Sequence, residues 1–202
     1  MKNRTFLESK RRSYLQRPVN MLETRQKFLI VCEGEKTEPL YFKKFRVPKL
    51  VIDVEGLGFN TIRLVQEAIR LQREGKYDQV WCVFDRDSFP ADHFNNAIQL
   101  AQQNGIQVAY SNEAFELWYL LHFHYFNAAI SRKDYIDRLS QLMKRPYSKN
   151  SEAIYDELIE KQLTAIKYAK QLLDQYEPKR PHLDNPSTTV HLLVEQLIKF
   201  SH

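Results

Sequence analysis

Cysteine is scarce in this 202-residue chain: there are two, Cys32 and Cys82. Two thiols without a CxxC pair exclude a disulfide framework and a cysteine-rich zinc site. Each lies inside an apolar, strand-like run, where a free thiol behaves as a small buried hydrophobe. No apolar run approaches the roughly 20 residues that a membrane span requires. The first residues, MKNRTFLESKRRSYLQRP, lack the apolar stretch of a signal peptide. The expected location is therefore the cytoplasm, with no membrane partner. The phosphate-binding pattern GxxxxGK[ST] is missing, which argues against ATP hydrolysis by a P-loop. No internal repeat is visible.

What is present suffices for a substantial core. Hydrophobic residues make up 43% of the chain, with 12 Phe and 11 Tyr. The net charge of +5 is unevenly spread. Residues 1–27 hold eight Lys and Arg against Glu8 and Glu23, a net of +6, so the remaining 175 residues sum to −1. The basicity belongs to an N-terminal arm, residues 1–26, whose Lys10, Arg11 and Arg12 could hold phosphates by counterion release. A solubilising tail is the plainer reading of the same arm.

From residue 27 strand-like and helix-like segments alternate. KFLIVCE reads as a buried strand. Gly34 permits a turn, and Thr37 or Glu38 caps a helix with Pro39 in its first turn. LVIDVEGLG is a second strand. Asn60 or Thr61 opens a helix in which Ile62, Val65, Ala68, Ile69 and Leu71 share most of one face, and Gly75 ends it. QVWCVFDRD is a third strand with no polar residue from Val80 to Phe84, so both of its faces should be covered. DHFNNAIQLAQQNG is a helix, IQVAYS a fourth strand, and AFELWYLLHFHYF the opening of another helix.

This order predicts an α/β fold: a four-stranded parallel sheet flanked by helices over residues 27–130. Beyond residue 130 the strand pattern stops. DYIDRLSQLMKRP, SEAIYDELIEKQLTAIKYAKQLLDQYEP and STTVHLLVEQLIKF read as a C-terminal α-helical elaboration, residues 131–202, packed on the sheet. Asn185 should cap the last helix, with Pro186 first inside it.

In such a sheet, function gathers at the carboxyl ends of the strands. Glu33 and Glu35 follow the first strand, and Asp85 and Asp87 follow the third. Two residues apart in an extended segment, Asp85 and Asp87 point the same way and Arg86 the other. With Glu33 they form an oxygen-only cluster, which suits Mg²⁺ or Mn²⁺. Like charges so close repel, so the ionised cluster needs a cation. Acidic pairs that merely solvate a turn are the alternative. Lys36, in the turn beside Glu33, could meet a phosphate as a point charge or simply face water. Arg86, Lys144, Arg145, Lys149, Lys179 and Arg180 add positive charge for a nucleic acid. His122 reads as a core or capping histidine.

The stretches CEGEKTEPLYFKKF, FDRD, SNEAFELWYLLHF and NPSTTVHLLVEQL, in that order, resemble the RloB-like family, over roughly residues 27–198. CEGEKTE followed by FDRD also resembles the Toprim domain. The resemblance implies a Toprim-type nuclease related to the overcoming-lysogenization-defect nucleases. Such proteins are associated with bacterial anti-phage or abortive-infection systems, often beside an AAA-type ATPase. By motif position, Glu33 would be the acid/base or metal-binding Glu, and Asp85 and Asp87 metal ligands. Glu38 would be the second acid of the ExGxTE pattern, here displaced by one residue. Glu116 would be an acid after the fourth strand that serves a second metal. Glu113 stands where the pattern has Pro. A non-catalytic subunit that binds nucleic acid or an ATPase, with structural carboxylates, is the competing expectation. A primase- or phosphatase-like activity is a third. The residues leave oligomeric state open.

Overall fold

The computed structural model of the protein describes residues 26–54, 61–86 and 90–201. Residues 1–25 of the basic arm, including Lys10, Arg11 and Arg12, and also Asp87, lie outside the described residues.

Four strands form in the expected places: β1 (Lys27–Cys32), β2 (Lys49–Val54), β3 (Gln79–Asp85) and β4 (Gln107–Asn112). All three pairings among them are parallel, in the order β2-β1-β3-β4. Alternation divides the two central strands between two cores. Phe28, Ile30, Cys32, Trp81 and Val83 enter one core; Leu29, Val31, Val80, Cys82 and Phe84 enter the other. A strand whose every residue is apolar is stable only when both faces are covered. Both cysteines are buried, as expected of structural thiols.

The expectation of four strands falls short by one. Ser187–Thr188 form β5, which pairs antiparallel with the end of β4. Asn185 and Pro186 therefore do not start a helix; they lead into this strand. The hydroxyls explain why. Thr188 Oγ1 donates to the Tyr110 carbonyl at 3.1 Å and accepts from Val190 N–H at 3.3 Å, with Ser111 Oγ also 3.1 Å away. Thr189 Oγ1 accepts from Tyr110 N–H and donates to the Val108 carbonyl. These groups satisfy and cover an edge that would otherwise be open.

One face of the sheet carries α2 (Thr61–Glu74) and α3 (Ala91–Gln103), which cover the second core with Leu64, Val65, Ala68, Phe94, Ala97 and Ala101. The other face carries α1 (Thr37–Phe42), α4 (Glu116–Leu120), α5 (Arg132–Met143), α6 (Ile154–Leu158), α7 (Gln162–Leu173) and α8 (Val190–Phe200). Residues from all six of these helices join one continuous core with β1, β3 and β4. The helix expected to extend through AFELWYLLHFHYF is only five residues long, because the chain turns again from Leu121. Lys144 ends α5 in the left-handed conformation, φ 54°. Among the described residues no helix is long and apolar enough to cross a membrane.

Tyr41 ties three helices together at the centre of this layer. Its ring packs against Phe42, Phe45, Phe115, Tyr119 and Tyr155. Its hydroxyl lies 2.8 Å from Trp118 Nε1 and 2.6 Å from Gln162 Nε2, both of which donate to it. Helices α1, α4 and α7 are thereby held in one relative position, and α1 and α4 each carry an acidic residue in the first turn.

Candidate functional site

The strand order changes direction between β1 and β3: the chain leaves β1 for β2 on one side, then returns to β3 on the other. At such a switch point the connections diverge and leave a crevice beyond the strand ends. Glu33 and Asp85 stand there. Glu33 extends the pairing of β1 by one residue, its N–H donating to the Val83 carbonyl at 3.0 Å. Its carboxylate accepts the Asp85 N–H at 3.2 Å. Asp85 follows Trp81 and Val83 on their side of β3, toward the helices of the larger core. Arg86 takes the opposite side, with its guanidinium carbon 5.9 Å from the centre of the Phe94 ring. The alternation expected for this pair is what the chain adopts, and it directs Arg86 away from the carboxylates.

Two further acids arrive from the helices. Glu38, in the first turn of α1, is buried. Its carboxylate occupies the space that a side chain at residue 34 would need; a Cβ on Gly34 would overlap Glu38 Oε2. Glycine here leaves room for that carboxylate; what it allows is a close approach rather than a special backbone angle. Glu116 begins α4 and is 3% exposed at its side chain. It accepts a hydrogen bond from the Tyr147 hydroxyl at 3.3 Å, and the Lys149 ammonium lies 3.4 Å from the same oxygen. Asp85 pairs with Arg132 of α5 at 3.2 Å.

The four carboxylates feel one another. Burial, then the charges of Glu116 and Glu33, push Glu38 up to about 7, against its own backbone hydrogen bond and Lys149. Asp85 is held well above the usual carboxylate range, first by burial and then by Glu38, with Glu116 and Glu33 adding to it and Arg132 opposing. Buried like charges with too little counter-charge are what such shifts signify. Burial raises the phenols of Tyr147 and Tyr119, and both also lie in the field of Glu38 and Glu116. Among the described residues no group of three or more His, Cys, Asp and Glu side chains is already arranged to hold a metal ion. The donor chemistry nevertheless suits a hard cation: oxygen only, buried, and short of positive charge.

Of the expected site residues, Glu33, Glu38, Asp85 and Glu116 are brought together. Glu35 and Lys36 are exposed on the turn between β1 and α1. His122 takes the core role anticipated for it: it is buried, its Nδ1 lies 2.9 Å from the Trp118 carbonyl, and burial lowers it to about 4. Arg132 and Tyr147 were not anticipated, and Lys149 only as one of several scattered charges. They come from beyond residue 130, and no local motif marks them.

A family model described as RloB-like protein matches residues 28–197, and the chain belongs to that family. No curated protein and no solved structure matches it.

Proposed function

We propose that this RloB-like protein is a divalent-metal-dependent nuclease that cleaves phosphodiester bonds in a nucleic acid. One observation carries the reading: four acids from two strand ends and two helix starts converge at the switch point of the sheet, and two of them resist ionisation there. Buried, mutually repelling carboxylates are costly, and acids perturbed in this way cluster at functional sites. Glu33, Glu38, Asp85 and Glu116 would hold Mg²⁺ or Mn²⁺, with Asp87 beside them. Bound there, the ion would neutralise a phosphate oxygen and lower the pKa of an attacking water.

The chain's own groups supply the rest. Glu33 is the acid/base candidate: it stands at the crevice and its carboxylate is fixed by the Asp85 N–H. Arg132 orients Asp85 through their ion pair. Lys36, exposed on the adjoining turn, is available to a phosphate. The resemblance of CEGEKTE and FDRD to the Toprim pattern supports the same chemistry. It also supports a cytoplasmic role in bacterial anti-phage defence, alongside an AAA-type ATPase. The basic arm with Lys10, Arg11 and Arg12 supplies charge for DNA or RNA.

A second reading has an observation in its favour. Asp85 and Glu116 each already have a cationic partner, Arg132 and Lys149. Carboxylates satisfied in this way could be purely structural, in a subunit that binds nucleic acid or an ATPase without cutting. The two readings part on one experiment. Full-length protein is incubated with Mg²⁺ or Mn²⁺ and single- and double-stranded DNA and RNA, with and without a cognate ATPase. The nuclease reading expects cleavage that Asp85→Ala and Glu33→Gln reduce by a factor of about 10² to 10⁴. Equal behaviour of the wild type and both variants on every substrate would overturn it.

A further inference from the structure

The carboxylates are bounded on one side by a segment that does not belong to the sheet. Between α5 and α6 the chain is fastened at two points. Tyr147 N–H donates to Ser140 Oγ at 2.9 Å, and the Lys149 carbonyl accepts the Thr37 hydroxyl at 3.2 Å. The second fastening lies one residue from Glu38, and it delivers the Lys149 side chain to the cluster. The ammonium rests on Glu116 Oε1, the oxygen that also receives the Tyr147 hydroxyl. The two partners differ sharply in surroundings: the Lys149 side chain is 44% exposed and that of Glu116 only 3%. A strongly hydrated ammonium on a flexible stem thus enters from solvent to meet a carboxylate that has little water of its own. Arg132 plays a different part, since a planar guanidinium on a helix is held more rigidly than an ammonium on four methylenes.

An ammonium and a divalent ion are alternative partners for the same carboxylate oxygen. We propose that Lys149 is the resident counter-cation of the cluster, held on Glu116 in the metal-free protein and displaced when a divalent ion binds. The inference rests on the metal-binding reading given above. Displaced, the ammonium stays tethered through its carbonyl to Thr37 and swings at the solvent side of the carboxylates. It is a positioning residue, and the apparent metal affinity of the protein is that of an exchange.

The test is Mn²⁺ binding to the full chain, followed by the electron paramagnetic resonance signal of the free ion, at fixed pH and ionic strength. Lys149→Met is compared with the wild type and with Lys167→Met, which removes an exposed lysine elsewhere on the surface. Lys149→Met is expected to bind Mn²⁺ roughly fivefold more tightly, the scale of a part-exposed ion pair. Its metal-free form should melt lower and gain more from Mn²⁺ than the wild type does, while Lys167→Met matches the wild type. If the wild type binds Mn²⁺ and Lys149→Met binds no more tightly, the exchange is overturned and the metal reading stands. Equal tightening by Lys167→Met also overturns the exchange, since only total charge would then matter. Absence of Mn²⁺ binding in all three proteins overturns both.

Discussion

The carboxylate of Glu33 accepts the backbone N–H of Asp85 at 3.2 Å, although 52 residues separate the two along the chain. The bond joins the ends of two neighbouring parallel strands and fixes one acid relative to the next. It is the shortest statement of how this fold makes a site: the acids that follow β1 and β3 cannot move apart without breaking the sheet.

Glu38 gives the site a pH dependence of definite sign. Its folded value of about 7 lies above the ordinary 4.5, so the folded state holds a proton that the unfolded state releases. Its contribution is fully present below about 4.5 and is lost as pH rises toward 7. Asp85 is shifted in the same direction. Two buried histidines oppose this: burial lowers His122 and His191 to about 4, so their contribution grows as pH rises from 4 to 6.5. The difference between Glu38→Gln and the wild type isolates the carboxyl. In urea unfolding without metal, the variant should gain stability relative to the wild type between pH 5 and pH 8. Saturating Mn²⁺ should shrink that gain. A difference that does not change with pH would contradict the assignment.

Gly34→Ala tests the close approach of the turn to Glu38. The new methyl would overlap the Glu38 carboxylate, which must then leave its place. Metal-free stability should change by no more than about 1 kcal/mol, because a repelled carboxyl loses little by moving. The rise in melting temperature on adding Mn²⁺ should fall by at least half. Differential scanning fluorimetry with and without the ion reads both quantities.

Tyr41→Phe keeps the ring contacts and removes one oxygen. Trp118 Nε1 and Gln162 Nε2 would then be left without their acceptor inside the core. Each stranded buried donor costs on the order of 1–3 kcal/mol, so unfolding in urea should show a loss of about 2–6 kcal/mol. Helices α1 and α4 would lose their common anchor, and metal-induced stabilisation should weaken with it.

Thr188→Val tests the edge strand. The side chains have nearly the same shape, but the variant cannot donate to the Tyr110 carbonyl or accept from Val190 N–H. A loss of about 1–3 kcal/mol is expected. Amide exchange should accelerate at Asn112 and neighbouring backbone groups where β4 meets β5, while β1 stays protected.

Much of this protein was legible residue by residue. FLIVC and VWCVF are apolar throughout, and a run of that kind closed by an acid fixes both a doubly covered strand and where its carboxylate emerges. Alternation alone sent Arg86 and Asp85 to opposite sides. Local signals misled at NPSTT, which has the composition of a helix start. Its hydroxyls are instead spent on β4, a partner some eighty residues away, and a two-residue strand exists only through such pairing.

The sequence by itself therefore settled the order of the first four strands and the helices between them, and placed Glu33 and Asp85 at strand ends, because periodicity of side chains is a local property of the backbone. Only the tertiary structure decided that Glu38 and Glu116 would join them in a buried place, and that Arg132, Tyr147 and Lys149 would surround the group. Those outcomes depend on how helices stack across the sheet, and the Coulomb energy of a charge is set by neighbours that no short window of residues contains.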